Sequence, residues 1–180
     1  MPKPPEGFRS ALEAAFRDSG RPLPILIGLD AIPGGSINQT FILRTASGVF
    51  FCKWNPSAPP GLFRREAEGL AALAASGTSL KIPSSIALTP DEPGKPSLLV
   101  LEYLESDADG ASKRTWEQLG RGLAELHHAG EERFGFDRDN YCGLTLQENE
   151  WSDDWAGFYR QRRIGALVDR LGKRGDLGTA

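Results

Sequence analysis

Lys53 and Glu66 are the residues whose positions ask for chemistry. Alternation along Val49 to Trp54 sends Val49, Phe51 and Lys53 to one face of a strand and Phe50, Cys52 and Trp54 to the other. Both faces are apolar, so a strand covered on both sides is expected. An ammonium group there must stay hydrated or meet a carboxylate. The next segment, from about Leu62 to Ala75, has helical spacing, with Phe63, Ala67, Leu70 and Ala74 as its apolar stripe. Glu66 falls inside that stripe. Glu68, turned about 140° from Phe63 at roughly 100° per residue, is the ordinary surface acid. One base and one acid on consecutive elements suggest an ion pair. A lysine held this way is a compact point charge of fixed direction that can reach two phosphates. The plainer alternative is a lysine that snorkels to the edge and a glutamate at the rim.

Just upstream stands Gly34-Gly35-Ser36-Ile37-Asn38-Gln39. Two glycines let backbone N–H groups approach an anion. Asn38 can take a left-handed conformation or donate from its amide. No Gly-Lys-Ser/Thr follows, so this is not a P-loop, and it opens no helix as a dinucleotide-binding turn would. A plain hairpin turn is the alternative. Downstream, Leu101-Glu102-Tyr103-Leu104 passes from a buried strand into a flexible stretch, where one carbonyl and one amide could meet the edge of an adenine. An ordinary core strand with two polar residues at its exit is the alternative.

The elements that position these residues follow from periodicity. A helix is expected over Phe8–Phe16, ended by Gly20 and Pro22. Strands are expected at Ile25–Ile32, Thr40–Thr45, Val49–Trp54, Ile82–Leu88 and Ser97–Leu104, the first three joined by short turns as a meander. Glu105 to Ser112 reads as a linker. Beyond it the pattern is helical: Trp116, Leu119, Leu123 and Leu126 on one helix ending near Gly130, and a last helix from near Ser152 toward Leu171. Phe134 to Glu150 looks irregular. Ser152 is expected to cap the last helix, with Asp153 and Asp154 in its first turn. Trp151 and Trp155, one turn apart, could line a sugar pocket or belong to the core. Arg160, Arg162, Arg163, Arg170, Lys173 and Arg174 read as a solvated helix face. His127 and His128 read as helix-end residues.

Composition sets bounds. In 180 residues with a net charge of −3 there is no basic field for nucleic acid. No apolar run approaches the roughly 18–20 residues of a membrane span. Cys52 and Cys142 form neither a disulfide framework nor a zinc cluster, so reduced thiols and a cytoplasmic location are expected.

Taken in this order, the motifs resemble the fructosamine (ketosamine) kinase family, within the protein-kinase-like, aminoglycoside-phosphotransferase-like fold. Gly34-Gly35-Ser36-Ile37-Asn38 resembles the family's Gly-Gly-x-Ile-Asn loop, and Phe51-Cys52-Lys53 its lysine strand. Phe63-Arg64-Arg65-Glu66-Ala67-Glu68-Gly69-Leu70 resembles its Phe-x-x-Glu-Ala-x-Gly-Leu helix, and Leu101 to Leu104 its hinge. Leu119-Gly120 through His127, Phe134 to Asn140, and Asn149-x-Trp151 through Trp155 resemble the segments that follow. The resemblance implies an α+β fold: an antiparallel five-stranded N-lobe with one helix over 1–104, then hinge, linker and an incomplete helical C-lobe over 105–180. It implies ATP and Mg²⁺ as cofactors and a glycated amine or ketosamine as substrate. Lys53 would hold the phosphates, Glu66 would orient it, and the Glu102 carbonyl and Leu104 amide would contact adenine. Trp151 and Trp155 would stand on the substrate side.

Two departures accompany the resemblance. Some relatives carry a cysteine in the glycine loop that can crosslink two chains, and here it is Ser36. The family's His-Gly-Asp-Leu-Trp-x-Gly-Asn loop, with the catalytic base, is absent, as is the later aspartate that binds Mg²⁺. Asp176 does not replace it, since no histidine precedes Gly175. A truncated chain with little turnover is therefore expected, and Trp116, Leu123, Trp155 and Leu167 are expected to be exposed and prone to dimerisation or aggregation. The rival readings are a non-catalytic nucleotide-binding module or remnant, and a kinase of another small hydroxyl compound such as an aminoglycoside.

Overall fold

The computed structural model of this chain describes residues 4–105 and 112–175. It divides into two compact units, Met1–Ala129 and Gly130–Ala180. Most of the expected linker, residues 106–111, and Asp176 lie outside the described residues.

The first unit is built on one sheet. Helix α1 (Phe8–Asp18) precedes strands β1 (Leu26–Ile32), β2 (Gln39–Thr45) and β3 (Gly48–Asn55), then come helix α2 (Leu62–Ala75), strands β4 (Ser85–Leu88) and β5 (Ser97–Glu102), and helix α3 (Lys113–His128). The five strands pair antiparallel in the order β1-β2-β3-β5-β4. Strand β4 is shorter than its apolar run, starting after Pro83, which has no N–H to give a ladder. Strand β5 stops at Glu102 rather than Leu104.

Register decides which residues share a face. Phe41, Cys52 and Val100 form one cross-strand row, and Thr40, Lys53 and Leu99 the adjacent one on the opposite face. The first row is fully covered by α1, whose Phe8, Ala11, Leu12, Ala15 and Phe16 recur at helical spacing and enter the core with Trp54 and Leu98. The second face is covered less. Helix α2 packs on β4 and β5, with only Leu62 and Phe63 of its own residues buried. Strand β3 is therefore not enclosed equally on both sides: Val49 is exposed and Phe51 half-buried. The half-open face is the one that carries Lys53.

Helix α3 groups with the sheet unit, yet Gly122 is its one buried residue. Trp116 is 62% exposed and Leu123 42%, as their unpartnered stripe led one to expect.

In the second unit, the stretch expected to be irregular holds a small hairpin, β6 (Asn140–Cys142) with β7 (Thr145–Gln147). Its two-residue turn has Gly143 at the first central position with φ 64°, where glycine costs no steric strain. Three-residue strands are too short for alternation to reveal. Phe134 and Ser152 form an isolated bridge, each donating its N–H to the other's carbonyl at 2.8 Å. That bridge fixes Ser152 in extended backbone, so the helix cap passes to Asp154, whose carboxylate accepts from the N–H groups of Ala156 and Gly157. The last helix is continuous but not uniform: α4 (Trp155–Phe158), a π-helical segment (Tyr159–Gly165) and α5 (Ala166–Arg174).

The basic face expected there is only partly solvated. Arg163 donates to Glu148 O and Asn149 Oδ1, both at 2.6 Å, and its guanidinium lies 4.7 Å from the Phe158 ring centre. Arg162 pairs with Glu148 and Glu150. Helix spacing alone does not reveal that residues 148–150 fold back on this helix. Trp155 and Leu167 are exposed, as expected.

Candidate functional site

The ion pair read from the sequence is formed. Lys53 Nζ donates to Glu66 Oε1 at 2.5 Å, with both side chains a little more than a quarter exposed. Residue 53 projects from β3 by strand alternation, and residue 66 faces it from the second turn of α2. The pair sits on the half-open face of the sheet, where an ammonium keeps some solvent yet is held by one carboxylate.

Helix α2 is anchored at its start. The Asp91 carboxylate accepts from Gly61 N–H at 3.1 Å and from Arg64 Nε at 2.7 Å. That pairing also raises the affinity of the Arg64 guanidinium for its proton, first through the hydrogen bond to Asp91.

The glycine turn is built from backbone that other residues would resist. Gly34 has φ 116° and Gly35 φ 85°, and nothing lies within 4 Å of where a Gly34 side chain would begin. Gly34, Gly35, Ser36 and Ile37 are exposed, and Asn38 is half-buried. Asn38 is not left-handed, since every positive φ among the described residues belongs to glycine. Its side-chain Oδ1 accepts from Asn55 Nδ2 at 3.0 Å, which fixes the orientation of the amide. Asn55 also donates to Ile37 O and, through Oδ1, accepts from Ser57 N–H. Asn55 is 5% exposed and stands two residues beyond Lys53 on β3, so one buried amide ties the glycine turn to the lysine strand.

At the other end of the site, Glu102, Tyr103 and Leu104 are half-buried where β5 ends. The Glu102 side chain turns toward Lys81 Nζ at 2.8 Å and Ser84, and its N–H donates to Ser84 O at 2.9 Å. Its carboxyl is held below the usual range, first by Lys81 and next by the Ser84 N–H.

In the second unit, Trp151 and Trp155 do not share a helix face. Trp151 precedes the helix, in the segment held by the Phe134–Ser152 bridge. It lines an open cleft of about 440 Å³ with Arg133, Phe136, Arg138 and Asp139. Trp155 begins α4 and joins a different cluster, with ring centres 5.5 Å from Phe134 and 5.4 Å from Tyr159.

Sequence reasoning missed Asn55 and Asp91, the residues that hold the turn and the helix. Asn55-Pro56 is a turn-initiating pair that could have drawn attention to the first. Nothing local marks Asp91, which acts across 27 and 30 residues.

No helix among the described residues is long and apolar enough to cross a membrane. No group of three His, Cys, Asp or Glu among them could hold a metal ion.

An antiparallel five-stranded sheet whose third strand offers a lysine to a glutamate of the following helix defines the protein-kinase-like fold. The crystal structure of a Haemophilus somnus protein assigned as a fructosamine-3-kinase shares it, with a TM-score of 0.78 over 96% of this chain and 59% of that one, at 21% identity. The sequence profile of the fructosamine kinase family matches residues 24–178, and the chain belongs to that family. It is 37% identical over 143 residues to the chloroplastic protein-ribulosamine 3-kinase of Arabidopsis thaliana, covering 76% of this chain and 41% of the plant protein. It is likewise 37% identical over 136 residues to the "Probable ketoamine kinase" of Synechocystis sp., covering 75% of this chain and 44% of that protein. The chain thus spans less than half the length of these two relatives.

Proposed function

We propose that this chain is the ATP-binding portion of a kinase that phosphorylates a hydroxyl of a ketosamine, a sugar joined to an amine. Lys53 would pair with the phosphates, directed by Glu66. The N–H groups of the Gly34–Asn38 turn would face the same anion, and the Glu102 carbonyl and Leu104 amide would meet the adenine edge.

The Lys53–Glu66 contact carries this reading: a half-open strand lysine fixed by one carboxylate. Register supports it. Lys53 pairs with Leu99 and Phe50 with Glu102, so the hinge end of β5 stands three residues along the sheet from the lysine. At roughly 3.3 Å per residue that is about 10 Å, the reach of a nucleotide between its base and its phosphates. The named activities of the plant and cyanobacterial relatives support a ketosamine as the acceptor.

The functional division falls at the hinge, 1–104 against 105–180. Among the described residues no three of His, Cys, Asp or Glu stand together, so no step is assigned to Mg²⁺ here. The 180-residue chain by itself is expected to bind nucleotide with little turnover, because its sequence contains no catalytic-loop motif.

Titration of the chain with a fluorescent ATP analogue, beside Lys53→Ala, tests the reading. Saturable binding that the substitution abolishes supports it. Absence of binding by the unsubstituted chain removes it in favour of a remnant. Assay of the corresponding full-length gene against fructosamine and an aminoglycoside then separates the two acceptor classes.

A further inference from the structure

Helix α2, which carries Glu66, is fixed tightly at only one end by its own packing. Leu62 and Phe63 are its buried residues, beside the Asp91 contacts. The far end leaves through Ser76 and Gly77 (φ 75°) into the loop that leads to β4. That loop is bonded to α3. Thr78 Oγ1 donates to Gly122 O at 2.9 Å and accepts from Leu80 N–H at 3.2 Å, so its hydroxyl is used in both directions. Ser79 N–H donates to Glu125 Oε2 at 2.6 Å. The Leu80 side chain occupies the space where a Cβ on Gly122 would stand. Gly122 is the one buried residue of a helix that is otherwise exposed except at half-buried Leu126, so this notch is where α3 is engaged closely. The same loop continues to Lys81 and Ser84, which hold Glu102 at the end of β5.

We infer that the 78–80 loop seated on Gly122 and Glu125 is a latch that sets the tilt of α2, making Thr78 and Glu125 positioning residues for Lys53. The inference rests on the nucleotide-binding reading above for its consequence, though not for its geometry. Lever lengths show why a remote latch matters. At 1.5 Å per residue, Glu66 lies about 5 Å along the axis from the Leu62–Phe63 anchor and Ala75 about 19 Å. A swing of about 4 Å at the far end therefore moves Glu66 by about 1 Å. That is enough to carry the 2.5 Å Lys53–Glu66 contact out of hydrogen-bonding range. Loss of the latch should weaken nucleotide binding without removing any group that touches nucleotide.

The test uses the full chain with Thr78→Val, which keeps the shape and loses both hydrogen bonds, and Thr78→Ser, which keeps the hydroxyl. Affinity for a mant-labelled ATP and amide hydrogen exchange are read well below the melting temperature. Thr78→Val is expected to weaken binding about fivefold and to speed exchange at Leu70–Ala75 about tenfold, with β2 and β3 unchanged and Thr78→Ser restoring both. A Thr78→Val chain that only melts earlier, with affinity unchanged, overturns the inference. So does weakened binding without faster exchange in α2. If the unsubstituted chain binds no nucleotide, the functional reading fails separately, and exchange alone judges the latch: faster exchange at Leu70–Ala75 upholds it and unchanged exchange refutes it.

Discussion

Asn55 and Asn38 meet through their side-chain amides at 3.0 Å, joining the end of β3 to the glycine turn that precedes β2. Because Asn55 is buried and also donates to Ile37 O, the turn's shape is set from the strand that carries Lys53. Replacing Asn55 by Ala removes the partner of Ile37 O, Asn38 Oδ1 and Ser57 N–H, a loss of about 1–3 kcal/mol at roughly 0.5–1.5 kcal/mol per bond. Asn55→Asp is expected to be at least as harmful, since a carboxylate cannot donate to Ile37 O. Thermal denaturation of both variants checks this, and melting temperatures within a degree of the parent would count against the anchoring role.

The Lys53–Glu66 pair is expected to matter far more for binding than for folding. A partly solvated pair contributes at most about 1 kcal/mol to stability. Lys53→Ala should therefore melt near the parent while losing ATP-analogue binding by tenfold or more, about 1.4 kcal/mol. Glu66→Gln should fall between. Parallel calorimetry and titration decide it; equal losses in both would make the pair a structural brace.

Gly34, at φ 116°, cannot be replaced without strain even though the space beside it is open. Gly34→Ala is expected to cost about 1–3 kcal/mol, or to shift the turn and relieve the strain at the expense of the N–H array. Either way analogue binding declines, whereas Gly69→Ala on α2, also with open space and ordinary helical backbone, should be neutral or slightly stabilising. Binding that survives Gly34→Ala at full strength would remove the turn from the site.

Two carboxylates give the fold an acid-sensitive element. Glu102 is held below its usual range chiefly by Lys81, and Glu125 chiefly by the Ser79 N–H. A carboxylate depressed in the folded state lends stability above its unfolded value, near 4.3, and the contribution disappears as pH falls through the lower folded value. The parent should exceed a Glu102→Gln/Glu125→Gln variant in melting temperature by a constant margin above about pH 5, with the margin shrinking below pH 4. A margin that stays constant down to pH 3 would contradict the assignment.

The thiols should differ sharply. Cys52 is fully buried in the core, and burial pushes its thiol far up; Cys142 is exposed on the small hairpin, and both are free. A colorimetric thiol reagent should titrate about one equivalent quickly in the native chain and the second only on unfolding, because thiolate character and access govern reactivity. Two fast equivalents would show that the α1-covered core opens readily.

Much of the lobe was legible because its signals are local. Alternation placed Lys53 on its strand, 3.6-residue spacing separated Glu66 from Glu68, and paired glycines marked the turn. The errors were also local in origin. Ser152 and Asp154 are both good caps, and only the bridge from Phe134 to Ser152 settled which one starts the helix. Trp151 and Trp155 have helical spacing in sequence, but the helix begins after the first of them.

By itself the sequence determined the order of strands and helices in the first unit, the family, and the acid and base destined to meet, since each is written in periodicity or in a contiguous motif. Only the tertiary structure decided what holds them. Asp91 reaches α2 across 30 residues, and Thr78 and Ser79 reach α3 across 44 and 46. Such contacts depend on where chain closure brings distant backbone, which no local pattern encodes.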